Sequence, residues 1–259
     1  MFIFGLGYSA RVIAGELARA GWSCEATGSA ADFAFDDDDG VRRALARADA
    51  VLSSVPPEDG ESGGGGGDPV LARYGDALGH RWLGYLSSTG VYGDTGGAWV
   101  DESAPTGTGR RSGRAGADAL WLGRGARVLR LPGIYGPGRS ALDRVRAGKA
   151  HRIALPGQVF SRVHVADIAA GALAALAAPP GVYNLADDLP CSQNAVIAEA
   201  CRLAGVPVPP LLTLDEAGLS PAARAFYAEN RRVANGKAQR VLGWTPRYPT
   251  YREGLRALI

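Results

Sequence analysis

The chain has 259 residues, enough for one large domain or a main domain with a smaller lobe. With 28 basic and 26 acidic residues the formal net charge is +2, which gives no general electrostatic case for nucleic acid or an acidic membrane surface as partner. Three cysteines without a C-x-x-C pair, three scattered histidines and no apolar run of membrane-spanning length argue against a disulfide framework, a metal site and a membrane span. No basic leader precedes the first apolar run, so a cytoplasmic protein is expected.

The first elements alternate. Phe2–Phe4 reads as a strand and Ser9–Ala20 as an amphipathic helix. Ser23–Thr27 is a second strand and Val41–Ala48 a short helix. Ala50–Val55 is a buried strand closed by Pro56 and Pro57, and Trp82–Ser87 and Arg127–Leu131 are two more. This β-α-β-α order predicts an α/β fold, a doubly wound parallel Rossmann sheet, whose ligands sit beyond the carboxyl ends of the strands. The glycine-rich run Gly60–Gly67 cannot hold a packed element and reads as a mobile surface loop. Later stretches predict helices at His164–Ala178, Gln193–Ala204 and Val233–Leu242 and a strand near Val182–Leu185. The expected division is a dinucleotide-binding domain over 1–135 and a small C-terminal substrate lobe over 136–259, with the 164–178 helix packing back on the sheet.

The strongest local signal is Gly5-Leu6-Gly7-Tyr8-Ser9-Ala10, between the first strand and the first helix. In this G-x-G-x-x-A pattern Gly5 permits the tight turn, Gly7 lets backbone approach a pyrophosphate, and Ala10 lets helix pack close to strand. The helix N-terminus offers free N–H groups to phosphates. Near the end of the second strand, where an acidic residue would hold a ribose 2′-hydroxyl, stand Thr27, Gly28 and Ser29. Those small neutral residues, with Arg11 nearby, favour NADP over NAD, although NAD stays open.

Further segments carry a family likeness. Leu86-Ser87-Ser88-Thr89-Gly90-Val91-Tyr92-Gly93 resembles an S-S-x-x-V-Y-G signature, and Arg130 to Arg139 contains the Y-G-P-G-R run Tyr135-Gly136-Pro137-Gly138-Arg139. Val163-His164-Val165-Ala166-Asp167-Ile168-Ala169, Val182-Tyr183-Asn184-Leu185 and Gly243-Trp244-Thr245-Pro246 follow in order. Together they resemble the extended, or atypical, short-chain dehydrogenases of the NAD-dependent epimerase/dehydratase type, in a bacterial branch that starts G-Y-[ST]-A-R. The resemblance implies that Ser53, Ser54, Val55 and Pro56 line the adenosine side and that Ser87 lies near the nicotinamide ribose. It also implies that Pro132 and Ile134 border the carboxamide. Ser88 would polarise a substrate group, with Thr89, Tyr135 and Arg139 facing the substrate. His164 and Asp167 read as helix-start braces.

One departure stands out. The family's Tyr-x-x-x-Lys pair moves the proton while the nicotinamide moves a hydride. No tyrosine lies between Tyr92 and Tyr135, and neither Lys149 nor Lys237 follows a tyrosine at that spacing. Arg114 stands in the neighbourhood but is a poor acid or base. Two functions stay open. One is an atypical NAD(P)-dependent oxidoreductase or epimerase on a small polar metabolite, with Ser88 orienting and Tyr92 or Tyr135 supplying the proton. The other is an NAD(P)-binding sensor or interaction module without turnover. A homodimer through helices near Asp68–Gly79 and Arg110–Leu122 is a further expectation.

Overall fold

The structure is a computed structural model that describes residues 1–58, 67–80, 82–109 and 112–259. In chain order the first half holds β1 Phe2–Phe4, α1 Tyr8–Arg19, β2 Glu25–Ala26, α2 Asp38–Arg47, β3 Ala50–Ser53, α3 Pro69–Tyr74, β4 Trp82–Ser88, β5 Trp99–Val100, α4 Ser112–Gly123 and β6 Arg127–Leu131. The second half holds β7 Gly133–Tyr135, α5 Ala141–Arg146, β8 Arg152–Ile153, β9 Arg162–His164, α6 Val165–Ala174, β10 Gly181–Asn184, α7 Gln193–Ala204, β11 Leu211–Leu212, α8 Pro221–Phe226, β12 Arg232–Val233, α9 Gly236–Leu242 and α10 Tyr251–Arg256.

Six strands form one sheet in the order β10-β6-β4-β3-β1-β2, and every pairing is parallel. The strands read as near-continuous apolar runs because helices cover both faces, as the fully buried Ala50, Val51 and Leu52 illustrate. On one face α1 buries Ala10, Ile13 and Leu17 against α6 and the β4 residue Trp82. On the other, Val41, Ala44, Leu45, Tyr74 and Trp121 from α2, α3 and α4 pack on Phe2, Phe4 and Tyr85. Each large side chain so buried contributes about 1.5–3 kcal/mol of transfer free energy. A third apolar cluster joins α5, α7 and α10 through Leu142, Ile197 and Leu255. The fold is therefore the expected α/β Rossmann arrangement. Its strand order reverses between β1 and β3, which places a crevice at their carboxyl ends.

Several elements differ from the sequence-based reading. The helix expected over Val233–Leu242 starts only at Gly236, because Val233 is claimed by β12, paired with β5, and donates its N–H to Ser161 Oγ at 2.9 Å. The helix expected over Asp68–Gly79 ends at Tyr74 and continues as a tighter 3₁₀ turn, Gly75–Ala77. Helices α5, α8 and α10, six residues each, gave no periodic signal. Of the glycine-rich run, Gly60 to Gly66 lie outside the described residues, as do Arg110 and Arg111.

Candidate nucleotide-binding cleft

A cleft of about 380 Å³ opens at the crevice. Gly7, Tyr8, Ser9 and Ala10 form one wall, Ser54 and Ser87 to Gly90 the floor, and Leu131 to Ile134 with Arg139 the other side. Gly5 holds φ +81°, and a Cβ there would sit 3.0 Å from Val55 Cγ2 and 3.1 Å from Ser54 Oγ. Ser54 Oγ closes the turn by donating to the Gly5 carbonyl. Gly7 is different: a Cβ there would meet nothing within 4 Å. It precedes α1 in extended backbone, and no side chain caps that helix. An open face, an uncapped twelve-residue helix and a glycine at its entrance together suit a phosphate group. The residues present thus fit a dinucleotide.

The serine-rich end of β4 is fixed from behind. Ser87 Oγ donates to Asp118 Oδ2 at 2.7 Å, and Asp118 also accepts from Arg130 Nε at 2.9 Å and Nη2 at 2.7 Å. Arg130 Nη1 reaches the Tyr92 hydroxyl at 2.9 Å, which in turn donates to Asn184 Oδ1 at 2.8 Å. Burial tends to lower the Arg130 pKa, but the Asp118 carboxylate outweighs it and holds the guanidinium firmly charged. Ser88 accepts from the Gly90 N–H at 3.1 Å, and its own O–H has no acceptor among the described residues. From α4, Arg114 enters the cleft, donating to Tyr85 OH at 3.0 Å and Leu86 O at 3.3 Å.

The sequence-derived residues divide. Gly7, Tyr8, Ser9, Ala10, Ser54, Ser87, Ser88, Thr89, Pro132, Ile134 and Arg139 share the cleft wall. Tyr8 donates to Pro137 O at 3.1 Å, with the Arg139 guanidinium 5.5 Å over its ring, tying the glycine turn to the Y-G-P-G-R segment. Burial raises the Tyr8 pKa while Arg139 opposes it. Gly5, Arg11, Ser29, Ser53, Val55 and Pro56 are not among the residues that line the cleft; Ser53 is buried, while Arg11, Ser29 and Pro56 are exposed. Arg11 Nε donates to Leu6 O at 3.0 Å.

Tyr92 is a correction. It is 2 % exposed, away from the cleft lining and bonded on both sides, so its hydroxyl serves the buried network rather than a substrate. Burial raises its pKa. Tyr135 is also buried and lines a neighbouring cavity rather than this cleft; its hydroxyl has no partner in the described residues. Burial, then the charges of Asp187 and Asp167, push its pKa well up, which makes it a poor proton donor. His164 caps α6, accepting from Ala166 N at 3.2 Å, and burial, with Arg247 adding, lowers its pKa to about 4. Asp167 accepts from the Arg247 and Tyr248 N–H groups.

The sequence reading missed the cleft's far side. Glu229, 8 % exposed, pairs with Arg231 at 2.8 Å, and Arg231 also donates to Gly93 O at 2.7 Å. Phe160, Ser161 and Phe226 complete that side. None sits in a motif; α8 and the turn after it deliver Phe226 and Glu229 there. Among the described residues no cluster of three His, Cys, Asp or Glu could hold a metal, and no helix is long and apolar enough to cross a membrane.

No family model matches the chain. It is 33% identical over 140 residues to a 3-diazoavenalumate denitrifying reductase from a Streptomyces species, covering 49% of this chain and 45% of that protein. It is 32% identical over 180 residues to protein YeeZ of Escherichia coli, covering 64% of this chain and 63% of that protein. The chain thus spans about half to under two thirds of the length of the curated relatives it matches. Among solved structures it superposes on a conserved protein of unknown function from Silicibacter pomeroyi with TM-score 0.86 at 42% identity, covering 99% of this chain and 96% of that one. The human epimerase family protein SDR39U1 with NADPH gives TM-score 0.75 at 15% identity, over 100% of this chain and 99% of that one. The UDP-glucose 4-epimerase of Thermus thermophilus in complex with NAD gives 0.72 at 19%, over 99% and 97%. These last two share the fold. The chain belongs to one family with the Silicibacter pomeroyi protein, a conserved bacterial branch built on the fold of the NAD-dependent epimerase/dehydratase, or extended short-chain dehydrogenase, proteins.

Proposed function

We propose that the chain is an atypical NAD(P)-dependent reductase acting on a small polar metabolite, with NADP preferred. The observation that carries this reading is the convergence of an open glycine turn, an uncapped helix start and the serine-rich end of β4 on one cleft. Gly5 and Gly7 with the N–H groups of Tyr8, Ser9 and Ala10 would hold the pyrophosphate. Arg11 and Ser29 would meet the adenosine ribose, and Ser54 would line the adenosine side with Ser53, Val55 and Pro56 beside it. Ser87 would meet the nicotinamide ribose, and Pro132 and Ile134 the carboxamide. A nicotinamide bound there supplies hydride chemistry. The human and Thermus structures hold NADPH and NAD, and the Streptomyces relative is by name a reductase, which supports this class.

Ser88 would bind the reacting group, because it is fixed by Gly90 N–H and its own proton is uncommitted. Thr89 and Arg139 would flank it. The missing Tyr-x-x-x-Lys pair leaves no strong proton donor on α4, where Arg114 instead enters the cleft. That favours an acceptor other than a simple ketone, since a new alkoxide needs a proton at once. The Streptomyces relative is named for reduction of a diazo compound. The same gap favours a second reading, nucleotide binding without turnover.

The three free cysteines support a reduced, cytoplasmic setting. The test is calorimetric titration with NADPH and NADH, followed by NADPH oxidation across a panel of ketones, imines and diazo acids. Binding with turnover of a non-ketone establishes the reductase. Binding with no turnover on any member establishes the second reading, and no binding overturns both.

A further inference from the structure

A second cavity, of about 510 Å³, opens beside the cleft. Ile134, Arg139, Phe160, Ser161 and Phe226 line both. Its wall is aromatic where Phe160 stacks on Phe226 with centroids 4.4 Å apart and planes at 11°, and Tyr227 meets Phe160 edge-on at 5.7 Å. A flat apolar body fits such a wall.

The cavity also carries charge. Arg162 lines it and is 6 % exposed. Its guanidinium donates to Phe160 O at 2.9 Å, Cys191 O at 3.1 Å, Cys191 Sγ at 3.2 Å and Gln193 Oε1 at 3.1 Å. All four partners are neutral, and among the described residues Arg162 makes no ion pair. The buried Asp187 carboxyl lies within electrostatic reach of Arg162 but makes no ion-pair contact with it, and burial disfavours its charged form, so an anion entering the cavity would give Arg162 a direct counter-charge. Arg144, at the cavity rim, likewise makes no ion pair; its Nη2 lies 3.5 Å from His151 Nδ1. The carboxylate that lines the cavity, Asp143, is engaged in capping Ser140 at 2.8 Å and 2.7 Å. The Tyr227 phenol makes no hydrogen bond among the described residues and lies within electrostatic reach of both Arg144 and Arg162.

We propose that this cavity receives the carboxylate end of the substrate, an organic acid with a flat unsaturated or aromatic body. Arg162 and Arg144 hold the carboxylate, Tyr227 donates to it, and the body lies along the Phe160–Phe226 stack toward Ile134 and the cofactor cleft. The assignment rests on the cleft being the nicotinamide site. Of the three arginines that line the cavity, Arg139 has its guanidinium over the Tyr8 ring of the cofactor cleft, which leaves Arg144 and Arg162 for the ligand, a pair that suits a single carboxylate rather than a diphosphate.

The test is calorimetry on the full chain saturated with NADP⁺, using cinnamate, its neutral isostere cinnamamide, and UDP. Cinnamate is expected to bind saturably, and cinnamamide about tenfold more weakly or worse, as loss of charge-assisted hydrogen bonds dictates. Arg144→Gln and Tyr227→Phe, both away from the buried core, are each expected to weaken cinnamate several-fold and leave NADP⁺ affinity unchanged. Arg162→Lys tests the buried cation. Equal binding of cinnamate and cinnamamide, unaltered cinnamate affinity in Arg144→Gln and Tyr227→Phe, or tighter binding of UDP than of cinnamate overturns the proposal. If NADP⁺ itself fails to bind, the cofactor reading falls, and cinnamate titrated into the free protein still judges the cavity.

Discussion

Removing the Asp118 carboxylate should be among the most damaging single changes near the cleft. Asp118 and Arg130 have side chains only 3% and 5% exposed, and Asp118 receives three hydrogen bonds, one from Ser87 and two from Arg130. Asp118→Ala strands a buried guanidinium, with the Tyr92 hydroxyl as its remaining partner among these groups. Breaking a buried ion pair from one side costs about 3–5 kcal/mol, against a total stability of roughly 5–15 kcal/mol for a typical domain. At about 2–4 °C per kcal/mol for a chain of this size, the melting temperature should fall by roughly 10 °C. Ser87→Ala provides the scale, because it removes one hydrogen bond and should cost about 1 kcal/mol. Thermal unfolding of both variants by circular dichroism reads the difference. If Asp118→Ala melts within a degree or two of Ser87→Ala, the pair is not the strut described here.

Other outcomes follow from the same geometry. Ser88→Ala should lower kcat by about 10²-fold while NADPH affinity stays put, as for loss of a donor to a developing charge; steady-state kinetics with unchanged kcat would remove Ser88 from the reaction. Arg11 keeps its terminal Nη groups uncommitted among the described residues, so Arg11→Gln should cut the NADPH-over-NADH preference about tenfold; an unmoved ratio by calorimetry contradicts its place at the 2′-phosphate. Burial raises the Asp187 pKa to about 7, although Arg162 opposes the rise, and its Oδ2 has no partner. Such a raised carboxyl stabilises the fold fully below its unfolded value near 3.8 and loses that contribution as pH climbs through about 7. At the upper bound this is about 4 kcal/mol. His164, with its lowered pKa, acts in the opposite sense, its contribution lost as pH falls from about 6.5 to about 4. Asp187→Asn, which keeps an acceptor for the Leu189 N–H, should therefore gain stability relative to the parent between pH 5 and pH 8 in urea titrations, and a difference independent of pH would show that Asp187 is ionised throughout.

Much of the fold was legible because its signals are local. The apolar run Phe2–Phe4, the turn at Gly5 and the helix face Ala10, Ile13 and Leu17 lie within one short window, and β-α alternation then dictates a parallel sheet. The Arg127–Leu131 strand and the Gln193–Ala204 helix matched residue for residue. The cleft's near wall was legible for the same reason, since Gly7 to Ala10 follow β1 and Ser87 to Thr89 span the carboxyl end of β4. Its far wall was not. Phe226 and Glu229 lie on and just after a six-residue helix with no periodicity, and only tertiary packing brings Phe226 onto Phe160 and ties Arg231, the local partner of Glu229, to Gly93 O. Tyr92 misled in the opposite way. Its segment resembles a functional signature, yet its hydroxyl is spent on Arg130 and Asn184, a long-range arrangement that no local pattern reveals.

The most direct test of the account is calorimetric titration of NADPH into the parent chain and into Gly7→Val. Because a side chain at Gly7 would meet nothing within 4 Å, the variant should fold with a nearly unchanged melting temperature. The account expects NADPH to bind the parent and to lose about tenfold or more in affinity when valine intrudes on the pyrophosphate face. Full NADPH affinity in a folded Gly7→Val protein, or none in the parent, would contradict the cleft as the nucleotide site.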